Sequence, residues 1–131
     1  MRILSITAQK PHSTGSGVYL TETVRGFKEL GHTQAVIAGV TREDSVKLPE
    51  GVRFYPVYYN SPELPFPVCG MSDEMPYEST RYRDMKPDMV DKFEAAFGSA
   101  VLRAVKEFRP DVVICHHLYL LAAIVREKLP D

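Results

Sequence analysis

The sequence predicts an α/β fold in which helices cover both faces of a parallel sheet. Short β-rich apolar runs alternate with segments whose apolar residues recur at helical spacing. The elements follow the order β-α-β-β, then a long excursion, then α-β-α. Alternation of this kind is typical of parallel sheets with right-handed crossovers, so we expect a Rossmann-like, doubly wound sheet.

A strand, a turn and a helix open the predicted fold. The first strand is predicted over residues 2–8, and the turn-rich stretch 11–17 follows it. From Val18 an apolar residue recurs every three or four positions, which predicts a helix with these buried residues: Leu20, Val24, Phe27 and Leu30. Gly31 stands where a C-cap glycine belongs, so we expect the helix to end there.

Two further strands follow this helix. Residues 33–38 are predicted as a strand that Gly39 closes. A third strand is predicted over 52–57, and it contains Pro56. Because proline has no N–H to donate to a ladder, we expect this strand at an edge of the sheet.

The excursion over residues 60–86 interrupts the α/β pattern. It is rich in proline but also carries aromatic and methionine side chains. A loop of this length inside a domain is usually functional or disordered, and the apolar content argues against plain disorder. We therefore expect an ordered segment that packs on the domain or helps to form a binding surface.

The last part of the chain is predicted as helix, strand and helix. Pro87 suits the first helical position, and the helix that it begins has this apolar stripe: Val90, Phe93, Phe97, Val101, Val105 and Phe108. Pro110 ends the helix. The run 111–115 has no alternation, which predicts a strand that is buried on both faces. A final helix is predicted over 118–128.

Composition excludes several classes of protein. A chain of 131 residues suits one domain, and a net charge of −1 offers no field for binding nucleic acid. Cys69 and Cys115 lack redox or metal-ligand spacing, so we expect reduced thiols in a cytoplasmic protein. No apolar run approaches the roughly 20 residues of a membrane span. Peripheral attachment to a membrane stays open.

The predicted sheet brings two distant segments together. In the common strand order 3-2-1-4, the first and fourth strands are neighbours at the topological switch point, where ligands bind. Gly15, Ser16 and Gly17 follow the first strand, and His116 and His117 follow the fourth. We therefore expect these five residues to face each other across a crevice.

The glycine-containing segment suits a phosphate, a carboxylate or a sugar hydroxyl. Glycines let the backbone approach a ligand closely, and the helix that follows offers free N–H groups. A flexible loop at a helix start is the alternative. A dinucleotide fingerprint is incomplete, because Leu20 takes the place of its third small residue and Ala38 and Gly39 stand where its acidic residue belongs. NAD binding and NTP hydrolysis are thus disfavoured.

Two adjacent histidines cannot point the same way, so we expect one of them to face the crevice and the other to pack or cap. An imidazole can hydrogen-bond a sugar hydroxyl or a phosphate, or act as a base. No third ligand accompanies the pair, so we expect no metal. His12 is a weaker candidate, His32 is expected at the surface, and the polar groups of the excursion are expected to be solvated: Ser72, Asp73, Glu74, Arg81 and Arg83.

The chain resembles the N-terminal part of a known enzyme family. Residues 1–6, the loop 14–17 and the helix end 27–32 are similar to the N-terminus of a family 4 glycosyltransferase. Residues 109–117 resemble the family's RPDVVHAHH segment, and short phrases around 70–77 resemble a subset of its members. Such enzymes have the GT-B architecture, with the active site between two Rossmann-like domains.

The resemblance implies an enzymatic activity and the separation of donor and acceptor binding between two domains. It implies transfer of a sugar from a nucleotide-sugar donor to an acceptor, with retention of configuration and without a metal. It carries a contact with the transferred sugar to His116 and substrate-binding roles to Gly15, Ser16, Gly17 and His117. The donor nucleotide would be held mostly by a C-terminal domain. Residues 1–131 are thus expected to be an incomplete acceptor-side domain, that is, a truncated N-terminal GT-B domain. We expect this domain to be inactive alone. We also expect it to self-associate through an exposed face.

The sequence also departs from that family's pattern. Members often carry a histidine two positions before the residue that matches His116, and Ile114 stands there instead. A non-catalytic Rossmann-like module that binds a small anion or nucleotide, or acts in assembly, is the alternative. A flavodoxin-like or response-regulator-like switch is disfavoured, because no acidic cluster follows the first strand.

Overall fold

The computed structural model describes residues 1–11, 13–70, 74–117 and 120–130. Its regular elements, in chain order, are β1 (Arg2–Thr7), α1 (Gly15–Glu29), β2 (Thr33–Val40), β3 (Arg53–Tyr58), β4 (Cys69–Gly70), β5 (Thr80–Arg81), α2 (Pro87–Phe108), β6 (Val112–Cys115) and α3 (Leu120–Lys128). Four strands form one parallel sheet in the order β3-β2-β1-β6. The predicted α/β class and strand order are therefore confirmed.

The sheet separates two apolar cores. The larger core lies between the sheet and the helices α2 and α3, and it includes Leu4 and Ile6 of β1 together with Phe93, Phe97 and Phe108. The smaller core lies under α1, where Leu20 and Val24 pack against Val36 and Ala38 of β2. Successive strand residues point to opposite faces, so neighbouring residues of one strand serve different cores.

Helix α1 begins three residues earlier than predicted. Thr14 is the N-cap, and its hydroxyl oxygen accepts a hydrogen bond from the Gly17 N–H at 3.1 Å. The three residues that were predicted as a loop therefore form the first helical turn. At the other end Gly31 has φ +86°, as the C-cap prediction requires, but Leu30 is 74% exposed and does not join the core.

Strand β2 continues past the position where it was predicted to end. Gly39 lies inside the strand and pairs with Val57 of β3. A Cβ atom at Gly39 would collide with the Ala8 carbonyl and the Tyr59 ring. The missing side chain at Gly39 thus permits the close approach of Ala8 and Tyr59, and the glycine does not end the strand.

The two edges of the sheet differ from the prediction in one respect. Strand β3 is at one edge, as Pro56 indicated. Strand β6 is at the other edge, and its residues are half-buried or exposed, with Val112 36% exposed. The prediction of a strand buried on both faces is therefore wrong, because an apolar run does not distinguish an edge strand from a central one.

The described part of the excursion packs on the larger core. Leu64, Phe66, Val68 and Cys69 are buried there, and the short strands β4 and β5 pair in parallel. A turn of 3-10 helix over Tyr82–Asp84 leads towards α2.

Helices α2 and α3 cover the face of the sheet opposite α1. In α2 the predicted stripe is buried at Phe93, Phe97, Val101 and Phe108, whereas Val90 and Val105 are only half-buried. The first two residues of the predicted final helix, 118 and 119, lie outside the described residues. Within the described ranges no helix combines the length and the apolar character that a bilayer crossing requires.

Candidate functional site

The switch point of the sheet lies between β1 and β6. These strands pair in parallel from Ile3 and Val112 to Ile6 and Cys115. The ladder then continues by one bond, because the His116 N–H donates to the Ile6 carbonyl at 2.9 Å. His116 is therefore held at the carboxyl end of β1, at the place where such sheets bind ligands.

The first turn of α1 lies at the same end of the sheet. Thr14 accepts hydrogen bonds from two N–H groups of this turn. The Gly17 N–H donates to the Thr14 hydroxyl, and the Val18 N–H donates to the Thr14 carbonyl at 2.8 Å. The N–H groups of Gly15 and Ser16 find no acceptor among the described residues. These two groups, at the positive end of the helix dipole, remain for a ligand.

A ring contact joins α1 to the residue that follows β6. Tyr19 lies one turn after Gly15 on α1, and its ring meets the His116 imidazole edge to face, with centroids 6.0 Å apart. The Nε2 atom of His116 is buried and has no hydrogen-bond partner in the part of the chain that the structure describes. A buried polar atom without a partner is costly, which makes Nε2 the candidate contact for a ligand.

His117 occupies a different environment. Its backbone is left-handed, with φ +86°, and its Nδ1 atom is 3.5 Å from the amide nitrogen of Gln9. Gln9 is almost fully buried, and its own N–H donates to the Thr7 hydroxyl at 3.2 Å. The two histidines thus point apart: one packs on α1 and the other contacts the residues that follow β1.

Both imidazoles favour the neutral form. Burial lowers the pKa of His116, and the neighbouring His117 lowers it further. Burial also lowers the pKa of His117. A neutral imidazole carries one N–H donor and one acceptor nitrogen, so it can pair with a hydroxyl that is itself both donor and acceptor.

A second polar cluster forms around Lys10, and the sequence did not indicate it. Lys10 follows β1, and its ammonium pairs with Asp44 at 2.9 Å, with both side chains about 15% exposed. The same ammonium lies over the Tyr77 ring, 4.6 Å from its centroid. The Tyr77 hydroxyl is buried without a partner in the described ranges, and burial raises its pKa. The cluster ties three distant segments together.

Gln9 and the Lys10 cluster were missed for different reasons. Gln9 was identifiable in principle, because it is a polar residue directly behind a buried central strand. Lys10, Asp44 and Tyr77 come from separate segments with no shared motif, so only the folded chain shows that they meet.

The remaining sequence candidates do not join this site, or lie outside the described residues. His32 is at the amino end of the sheet, where its Nδ1 is 3.1 Å from the N-terminal amine. Arg81 pairs with Asp84 at 2.6 Å. His12, Ser72 and Asp73 lie outside the described residues.

Neither a metal cluster nor a relative identifies the site. Among the residues that the structure describes, no three histidine, cysteine or acidic side chains converge as metal ligands would. A scan against protein-family models finds no match, and a search of curated proteins finds none either.

Proposed function

We propose that this chain is the acceptor-side, N-terminal Rossmann-like domain of a retaining glycosyltransferase. On this proposal the surface between α1 and the end of β6 forms one side of the sugar-transfer site. The observation that carries it is the contact between Tyr19 of α1 and His116, whose buried Nε2 has no partner among the described residues. The resemblance of both segments to the family 4 enzymes supports the same assignment.

His116 has the properties of a contact for the transferred sugar. Its main chain is anchored on β1, and its ring meets the Tyr19 ring edge to face. Because burial favours the neutral imidazole, a sugar hydroxyl can satisfy it without bringing a counter-ion. Such a fixed hydrogen bond orients the sugar for attack at its anomeric carbon.

The first turn of α1 has a complementary role. The N–H groups of Gly15 and Ser16, which have no acceptor among the described residues, suit a phosphate oxygen of the donor or a hydroxyl of the acceptor. The hydroxyl of Ser16 is 3.1 Å from that of Thr14, so it is already oriented within this turn. Gly17 has a structural role, since its N–H donates to the hydroxyl of the N-cap residue Thr14.

The test is a titration of the ¹⁵N-labelled chain, followed by amide chemical shifts. The ligands are UDP-glucose and GDP-mannose, with UDP and GDP as controls that lack the sugar. We expect weak binding, with sugar-dependent shifts at Gly15, Ser16 and His116. We expect His32, at the opposite end of the sheet, to stay unchanged.

The alternative function predicts a different pattern. A non-catalytic anion-binding module would respond equally to UDP and UDP-glucose, with shifts confined to the first turn of α1. Shifts that do not depend on the sugar, or shifts absent from His116, would contradict the glycosyltransferase proposal.

A further inference from the structure

A second concave surface lies at the opposite edge of the sheet from β6. It is a groove of about 620 Å³ between the end of β3 and the helix α2. Strand β3 is separated from β1 by β2, so the groove is distinct from the crevice beside His116. Its volume falls within the range of about 300–1,000 Å³ that is typical of small-molecule sites.

The floor of the groove consists of small side chains on one side of α2. They come from two successive turns of the helix: Ala95, Ala96, Ser99 and Ala100. Their size leaves the helix backbone close to the groove, and Ser99 adds an exposed hydroxyl. Pro56 and Tyr58 of β3 form the facing wall.

Each wall carries a cation that has no carboxylate partner among the described residues. On the β3 side this is Arg42, whose guanidinium lies over the Tyr58 ring, 4.3 Å from its centroid. On the α2 side it is Lys92. Stacking on an aromatic ring fixes the guanidinium plane while its N–H groups remain available for an anion.

The charge of the groove is opposite to that of the whole chain. The groove is lined by three cationic side chains, Arg42, Lys92 and Arg103, and by one carboxylate, Glu63. The chain as a whole has a net charge of −1. Arg103 is less available, since its Nε is 3.0 Å from Glu107. The local excess of positive charge is therefore a property of this groove and not of the general composition.

We propose that the groove is a binding site for a small molecule with two or more phosphate groups. A guanidinium fork and an ammonium on facing walls suit two separate phosphates, and the small residues between them leave room for the ligand. This site is independent of the proposed function, which concerns the crevice beside His116.

The test is a titration of the ¹⁵N-labelled chain with inorganic tripolyphosphate at constant ionic strength. Orthophosphate serves as the single-phosphate comparison. We expect saturable shifts at Ser99 and neighbouring α2 amides, with orthophosphate binding at least several-fold more weakly. Arg42→Gln and Lys92→Gln should each weaken tripolyphosphate binding by about three- to tenfold, because each removes one partly solvated charge contact.

A matched control lies on the same helix. Lys106 is exposed on α2 but does not line the groove, so Lys106→Gln should leave the affinity unchanged. An equal loss in all three variants would overturn the proposal, because it would show non-specific attraction. Shifts at Gly15 and Ser16 alone would also overturn it, while leaving the crevice proposal intact. Binding of hexaglutamate without binding of tripolyphosphate would assign the groove to an acidic peptide instead.

Discussion

The ring of Tyr19 and the imidazole of His116 meet edge to face, with their centroids 6.0 Å apart. Tyr19 is itself 66% exposed, whereas His116 is half-buried and its Nε2 atom is fully buried. Burial in turn lowers the pKa of His116. The contact thus joins α1 to the residue that follows β6, and burial of that residue favours its neutral form.

A dependence of stability on pH follows from this burial. Between the lowered pKa of His116 and the usual value of 6.5, the unfolded chain binds a proton that the folded chain does not. The free energy of unfolding should therefore decrease as the pH falls through this window. Urea denaturation at pH 7.5 and 5.5 measures the decrease, and His116→Gln should make it smaller. The same decrease in both proteins would contradict a buried, neutral His116.

The close approach at Gly39 predicts a position-specific cost. Gly39→Ala places a methyl group against the Ala8 carbonyl and the Tyr59 ring, so we expect a loss of about 1–3 kcal/mol in the free energy of unfolding. Gly26→Ala is the matched control, because a Cβ there meets nothing within 4 Å and alanine favours the helix by about 0.5–1 kcal/mol. Thermal or urea denaturation of both variants checks the prediction, and a neutral Gly39→Ala would contradict the packing described.

The Lys10 cluster predicts that two aspartates differ in their contribution to stability. Asp44 accepts from Lys10 at 2.9 Å and from the Thr41 N–H at 2.7 Å. Although burial opposes ionisation, these hydrogen bonds lower the pKa of Asp44. Asp44→Asn should cost about 1.5–3 kcal/mol, as expected for a charged hydrogen bond in a largely buried place.

Asp84 provides the comparison for Asp44. It pairs with Arg81 at 2.6 Å, but both side chains are more than 40% exposed. Asp84→Asn should therefore cost between about 0 and 1 kcal/mol. Equal effects of the two substitutions in urea denaturation would show that the Lys10 pair is not a stabilising contact.

The open edge at β6 predicts reversible self-association. Its four residues are apolar, and within the described residues no strand pairs with its outer side. Light scattering after gel filtration should show a mass that increases with concentration. Val112→Lys should reduce this increase because it places a charge on the edge, whereas Leu102→Lys, on the exposed face of α2, should not. A monomer at every concentration would contradict the prediction.

Periodicity predicted the fold because burial leaves a clear pattern in this sequence. The alternation of elements led to the observed strand order, and Pro56 correctly indicated an edge. The same reasoning does not separate an edge strand from a central one when both are apolar, as β6 shows. It also placed the start of α1 too late, because the capping bond that the Gly17 N–H donates to Thr14 extends the helix across glycines that have a low intrinsic preference for it.

The candidate site was predicted only in outline. The switch-point rule placed the start of α1 and His116 at the same end of the sheet, and Tyr19 of α1 contacts His116; a shared site with Gly15 and Ser16 stays a prediction. It did not indicate which histidine packs on α1, since that depends on the left-handed backbone of His117 and its contact with Gln9. Three-dimensional contacts between separate segments, such as Lys10 with Asp44, leave no local pattern to read.

The central claim is that His116 contacts a sugar in the crevice. Its most direct test is the affinity of UDP-glucose and GDP-mannose for three variants, measured by chemical-shift titration: His116→Ala, His117→Ala and His32→Ala. We predict that His116→Ala weakens sugar-dependent binding about tenfold, as the loss of one hydrogen bond implies, with a smaller effect of His117→Ala and none of His32→Ala. Equal affinities in the His116 and His32 variants would contradict the claim.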